Sequence, residues 1–165
     1  MAHSDTAKVL MRLRELQHVD LTEQATQMIR AGGKAGRQES HKQALLALQQ
    51  RFEQYFVEAV SLALGLNTTQ AKKIRYKKDR IRILKAQGLD YLAIDGAETA
   101  FVLAQIAQAV AYEDAIVTHD LHNIFPYWKE GFPMVQFDNA YNILAEDITV
   151  HFIEVLKALV QVIEQ

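Results

Sequence analysis

The sequence predicts an all-α fold, an up-and-down antiparallel bundle of four long helices preceded by one or two short N-terminal helices. Three observations predict it. Apolar residues recur with a period near 3.6, glycines and prolines fall between the periodic runs, and no run alternates with period two beside an Asn-Gly or Asp-Gly turn. At 165 residues, half of them apolar and 23% charged, the chain can bury a core as one domain and lacks the composition of a disordered one. That domain is expected to span 1–165, with an N-terminal helical arm over 1–37 and the main bundle over 38–165.

The arm is expected to hold helices near 4–18 and 21–30, ended by Gly32, Gly33 and Gly36. Its Gly-Gly-Lys-Ala-Gly-Arg run lacks the Gly-Lys-Ser/Thr ending and preceding strand of a phosphate loop, so it reads as a helix–helix connection. Over 39–64, Leu45, Leu48, Phe52, Tyr55, Ala59, Leu62 and Leu66 alternate spacings of three and four, an a/d seam that Phe56 and Val60 widen into a core-facing stripe. Gly65 separates this helix from the next, expected over 69–87 and ended by Gly88. Asp95-Gly96-Ala97-Glu98 has the form of a capping box, with Asp95 as N-cap and Glu98 at N3, opening a helix over 96–123. From Thr99 this helix is apolar nearly all round and is expected at the centre of the bundle. Pro126, Gly131 and Pro133 mark a long loop rich in rings: Phe125, Tyr127, Trp128, Phe132 and Phe137. They are expected to cap the bundle end, or, if exposed, to mark a partner or ligand pocket. The last helix, 138–164, repeats the seam with Leu144, Ile148, Phe152, Val155, Leu159 and Val162.

The chain has no cysteine, which excludes a disulfide framework, a thiolate nucleophile and Cys-ligated zinc or iron–sulfur sites. The first residues carry no apolar leader core, and the most apolar stretch, Thr99 to Ala111, is broken by Gln105 and Gln108 and is too short to span a bilayer. A cytoplasmic protein with no membrane association is therefore expected. The net charge of −2 conceals a division: residues 1–86 hold 16 Lys and Arg against 8 Asp and Glu, and residues 87–165 hold 2 against 12. Such asymmetry suggests an interaction surface, or halves that attract one another within a molecule or across a homodimer.

The strongest compositional signal is basic. Lys72, Lys73, Arg75, Lys77, Lys78, Arg80, Arg82 and Lys85 crowd one segment, opposed only by Asp79. On a continuous helix at 100° per residue these charges surround the axis, so most must face water, phosphates or acidic protein. Cations at that density would release counterions from RNA or DNA. The alternative is pairing with the acidic second half, in the same chain or a second copy, or simple solvation.

Histidines supply the second candidate. His119 and His122 stand three apart and share a helix face, as acid–base groups or metal ligands would. Glu113 and Asp114 lie upstream, and Asp147 and His151 are four apart on the last helix. One Glu-x-x-His pair, Glu15 with His18 in the N-terminal arm, occurs without the second that a di-iron bundle needs, so neither a di-iron site nor any other metal or cofactor is expected. The structural alternative makes His119 a helix-terminus residue and His151 a partly buried histidine with a local partner.

The apolar helix running into Thr118-His119-Asp120-Leu121-His122-Asn123-Ile124 resembles the HEPN superfamily of small helical bundles, many of which carry a similar His-Asp-Leu-x-x-Leu stretch after the core helix. The likeness covers about residues 70–160. It implies a dimeric bundle acting on RNA or nucleotides, often in toxin–antitoxin or phage-defence systems. Active members cleave RNA without metal, using an arginine followed a few residues later by a histidine at the dimer groove. Here the positions at the matching distance before His119 are Tyr112, Glu113 and Asp114, with no arginine, and the one arginine–histidine pair at suitable spacing, Arg12 with His18, lies in the first helix. The resemblance therefore implies a binding or regulatory member. A histidine beside two acids and no cation would repel a phosphate instead of activating it. The expected function is a dimeric binding module that engages nucleic acid or an acidic protein partner through the basic segment. The competing expectations are a ribonuclease using His119 and His122 and a protein–protein adaptor.

Overall fold

Helical periodicity and glycine punctuation translate, among the described residues, into 74% helix with eight α-helices. The structure, a computed structural model, describes residues 2–165 of the chain and side chains from Asp5 onward. The helices are α1 (Ala2–Leu16), α2 (Glu23–Gly32), α3 (Arg37–Leu64), α4 (Thr68–Lys73), α5 (Lys77–Ala86), α6 (Ala97–Tyr112), α7 (His119–Ile124) and α8 (Phe137–Glu164), with one 3-10 turn at Tyr91–Ala93. Among the described residues there is no strand, as expected of an all-α bundle, and no helix is long and apolar enough to cross a membrane.

The two seams are where the periodicity puts them. Leu45, Leu48, Phe52, Phe56, Ala59 and Val60 of α3 are buried, as are Leu144, Ile148, Phe152, Val155 and Leu159 of α8. The seam stops short of its expected end, since Leu62 is 43% exposed and Leu66 lies beyond the helix.

Two expected helices are each divided in two. The segment 69–87 becomes α4 and α5, joined by an elbow at residues 74–76. Asn67 opens α4 with a reciprocal capping box, its Oδ1 accepting from Gln70 N at 2.8 Å while Gln70 Oε1 accepts from Asn67 N at 3.0 Å. The segment 96–123 becomes α6 and α7. Asp114 and Ala115 take left-handed backbone angles (φ 53° and 58°), and the Ala115 N–H returns to the Ala109 carbonyl at 3.0 Å, closing the end of α6 without glycine. An alanine in that region is strained, and the loop holds it there. The Met134 N–H bonds the Ala115 carbonyl, and Val117 exchanges backbone hydrogen bonds with Gly131 and Phe132. Thr118 then caps α7, its hydroxyl accepting from Leu121 N at 3.2 Å. The start of α6 also differs: the helix begins at Ala97 behind Gly96, leaving Asp95 outside it and not at the N-cap.

The chain forms two compact units. The first comprises residues 1–20, 52–97 and 150–165. Leu13 and Leu16 of α1, Ile74, Ile83 and Leu84 of the elbow region, and Phe52, Phe56 and Phe152 are buried there. Their rings meet in tilted and edge-on pairs, Phe52–Phe56 at 5.5 Å and Phe52–Phe152 at 6.2 Å. Arg12 joins α1 to α3 by pairing with Glu58.

The second unit comprises residues 21–51 and 98–149. Here α6 buries Phe101, Val102, Leu103, Ile106 and Ala109 but exposes Gln108 and Tyr112, so its buried face is broad without encircling the helix. The start of α3 caps the start of α8: Gln38 Oε1 accepts from Phe137 N at 2.7 Å, and Arg37 binds Asp138 at 2.8 Å, which holds that carboxyl down at about 2. The long loop divides its rings, burying Trp128 and Phe137 and leaving Phe132 63% exposed. Trp128 is the anchor, stacked edge-on with Phe125 and Phe137 while its indole N–H donates to the Val135 carbonyl at 2.7 Å.

Replacing Trp128 by Phe keeps a ring but strands that carbonyl. The expected loss is about 1–3 kcal/mol of unfolding free energy, seen as a lower urea midpoint at constant m-value. An unchanged midpoint would show that the indole bond holds nothing.

Candidate nucleic-acid interface

The basic segment lies wholly in the first unit, and the fold sorts its charges into two kinds. Lys72 and Lys73 on α4, Arg75 in the elbow, and Lys77, Lys78, Arg82 and Lys85 on α5 are exposed. On α5, Lys78, Arg82 and Lys85 follow an i, i+4, i+7 spacing, one stripe about 10 Å long at 1.5 Å per residue. Arg80, Ile83 and Leu84 lie on the opposite stripe and are buried. The cations therefore do not surround one axis as a continuous helix would have placed them. Arg82 pairs with Asp79 at 2.9 Å, whereas Lys72, Lys73, Lys78 and Lys85 make no ion pair among the described residues.

Arg80 departs from its expected place among the phosphate-facing cations. It is 2% exposed and has no surface to offer a phosphate. Its Nη2 donates to both oxygens of Glu53, at 2.6 and 2.8 Å, and its Nη1 to the Tyr91 hydroxyl at 3.4 Å. Its Nε donates to the Ile74 carbonyl at 2.7 Å. In a continuous helix that carbonyl would accept the Lys78 N–H, so capture by the guanidinium accompanies the break between α4 and α5. The guanidinium also lies 4.2 Å from the Phe56 ring centroid, a cation–π contact shielded from water.

The polar chain continues inward. Tyr91 Oη lies 2.7 Å from His151 Nε2, and His151 Nδ1 lies 2.7 Å from the Asp95 carbonyl. A carbonyl can only accept, so Nδ1 carries the proton, Nε2 is the acceptor, and the Tyr91 hydroxyl donates to it. Arg80 then donates to the lone pair that the tyrosine keeps. Every direction is fixed, and the chain works only with a neutral imidazole. Burial agrees, lowering His151 to about 4 and pushing Tyr91 up to about 12. Burial likewise raises Glu53, and the Arg80 charge offsets this only in part. His151 is fully buried, and its Tyr91 partner is sixty residues away instead of local. Gly96 makes room for this ring: a Cβ there would lie 2.8 Å from the His151 Cβ, at a φ of +80°.

The two candidate catalytic histidines are held apart in role. His122 is half-buried and gives its Nδ1 to the Trp128 carbonyl at 2.7 Å, bracing the loop. His119 is exposed at the start of α7, with Glu130 on Nδ1 at 2.5 Å and Asn123 on Nε2 at 3.2 Å. Both ring nitrogens are occupied, one by a carboxylate that disfavours an approaching phosphate. Among the described residues no group of three His, Asp or Glu could hold a metal ion. A cleft of about 260 Å³ lined by Ala93, Ile94, Asp95, Glu154, Lys157, Ala158 and Gln161 falls below the usual size of small-molecule pockets. No protein-family model, curated protein or solved structure matches the chain.

Glu53, Tyr91, Asp95 and Gly96 were not among the expected site residues. Glu53 had a sequence signal, since it shares a helix face with Phe56 and Val60 at i+3 and i+7.

Two outcomes follow for stability. Arg80→Ala leaves Glu53 buried without a cation and is expected to cost about 3–5 kcal/mol, whereas Arg82→Ala, at an exposed pair, costs under about 1 kcal/mol. Equal losses in thermal unfolding would refute the division. The depressed His151 value means stability is fully present above pH 6.5 and is lost as pH falls toward 4. The size is about 3 kcal/mol, at 1.36 kcal/mol per unit. In denaturant titrations across that window His151→Gln should flatten the slope relative to the wild type, and parallel slopes would count against the neutral imidazole.

Proposed function

We propose that the protein is a binding module that holds nucleic acid on the exposed cationic surface of α4, the elbow and α5. The observation that carries this is the separation of charges. Seven cations stand in solvent on one short stretch of chain, while the one that could not be solvated there is withdrawn to a carboxylate of the core. Lysines that make no ion pair among the described residues can neutralise phosphates, and the counterions they displace from the nucleic acid supply the driving term of association. The resemblance of residues 118–124 to the HEPN stretch favours RNA as the polyanion, in a regulatory member of that superfamily. His119 braced by Glu130 supports binding without cleavage.

The test is fluorescence anisotropy of labelled RNA and DNA across a salt series, with the RNA afterwards run on a denaturing gel. The expected result is binding that weakens steeply with salt, at a slope of about −0.7 to −0.9 per phosphate neutralised. Charge reversal of Lys72, Lys73, Lys77 and Lys78 to Glu should abolish it, while His119→Ala leaves binding unchanged and the RNA intact. Cleavage lost in His119→Ala would replace this proposal with a nuclease. An absence of binding at low salt would reject it outright. If light scattering then found copies associating at low salt and parting at high salt, the surface would belong to the exposed acids of a second copy, such as Glu113, Asp114, Asp120 and Glu130.

A further inference from the structure

The elbow between α4 and α5 displays a side chain that charge alone does not explain. Tyr76 is 69% exposed, in extended backbone (φ −102°, ψ 136°), between the exposed Arg75 and Lys77. Its backbone is held by hydrogen bonds on both sides. The preceding Ile74 is fully buried and its carbonyl is held by the Arg80 side chain at 2.7 Å. The Tyr76 carbonyl accepts the Arg80 backbone N–H at 2.7 Å, and the Tyr76 N–H returns to Lys73 at 3.0 Å. One arginine thus fixes the backbone on both sides of an aromatic ring that covers no core.

We infer that Tyr76 is a stacking platform and that the ligand of this surface is single-stranded nucleic acid, an inference that rests on the nucleic-acid reading of the same surface. Phosphates engage the Lys78–Arg82–Lys85 stripe and the cations flanking the elbow. A base turned out of the strand lies on the tyrosine. A duplex offers the same phosphates, but its bases are already stacked on both faces, so the ring gains nothing from it. A single strand presents free base faces, and an aromatic platform takes any of them without regard to sequence. Because the elbow is held before the ligand arrives, little ordering is left to oppose binding.

The experiment compares three labelled ligands of about 12 nucleotides, within the footprint of known single-strand sites: an ordinary single strand, a strand of the same length made of abasic sugar-phosphate units, and a duplex. The wild type should bind the ordinary strand most tightly. Tyr76→Ala should weaken that binding about tenfold or more and leave the abasic strand unchanged, so that the variant no longer distinguishes them. Tyr76→Phe should behave as the wild type. If Tyr76→Ala retains full affinity for the ordinary strand, or loses affinity equally for the abasic one, stacking is overturned while salt-dependent nucleic-acid binding stands. If the wild type binds none of the three at low salt, both proposals fall together.

Discussion

A guanidinium withdrawn from water is stable only when its donors find acceptors and its charge finds an anion. Arg80 meets both conditions with groups drawn from three places in the chain: Glu53 on α3, the Ile74 carbonyl at the end of α4, and the Tyr91 hydroxyl on the 3-10 turn. Much of the first unit follows from this. The carbonyl of Ile74 is diverted from the helix, so the basic segment bends into two short helices. Tyr91, accepting from the arginine, turns its proton toward His151. His151 must then remain neutral and donate to Asp95, and Gly96 lets the chain approach closely enough for it to do so.

The same burial shapes the outside. A single helix over 69–87 would have wrapped its charges around one axis and left any bound polymer with only a fraction of them. Dividing it gives α5 one face for the core and one for solvent, and it sets Tyr76 at the corner with its backbone held from both sides. In the second unit the polar groups do the opposite work. His122, Thr118 and the Trp128 indole are spent on backbone atoms of their own loops, which fixes α7 and the long loop. His119 remains exposed, but in the company of Glu130 and Asn123.

What was legible in the sequence was what depends on local period. The helices α3 and α8 come within one or two residues of their expected bounds because each carries an unbroken apolar stripe over many turns. The two breaks were illegible for a physical reason: no glycine or proline marks them. One depends on an arginine six residues beyond the carbonyl it captures and on a glutamate from another helix. The other is a left-handed Asp114–Ala115 pair stabilised by a loop that returns fifteen to twenty residues later. Part of the buried chain was nonetheless written in the pattern. Arg80 falls at i−3 and i−4 from Ile83 and Leu84, Glu53 shares a face with Phe56 and Val60, and His151 sits between Ile148 and Val155. A charge on an apolar stripe requires a partner, and two opposite charges on two such stripes are candidates for each other. Tyr76 carried no such signal, because its importance lies in the elbow that the sequence concealed.

In the proposed function Arg80 builds the surface and its exposed neighbours meet the phosphates. The most direct measurement is the salt slope of single-strand RNA binding in Arg80→Lys beside Lys78→Met. Arg80→Lys keeps the cation but cannot hold Glu53, Tyr91 and the Ile74 carbonyl together as the guanidinium does. The slope should therefore fall in Arg80→Lys although no charge is lost, and shrink by about 0.7 in Lys78→Met, the contribution of one phosphate contact on a single strand. A wild-type slope in Arg80→Lys beside a reduced one in Lys78→Met would contradict this account, because Arg80 would then count only as a charge.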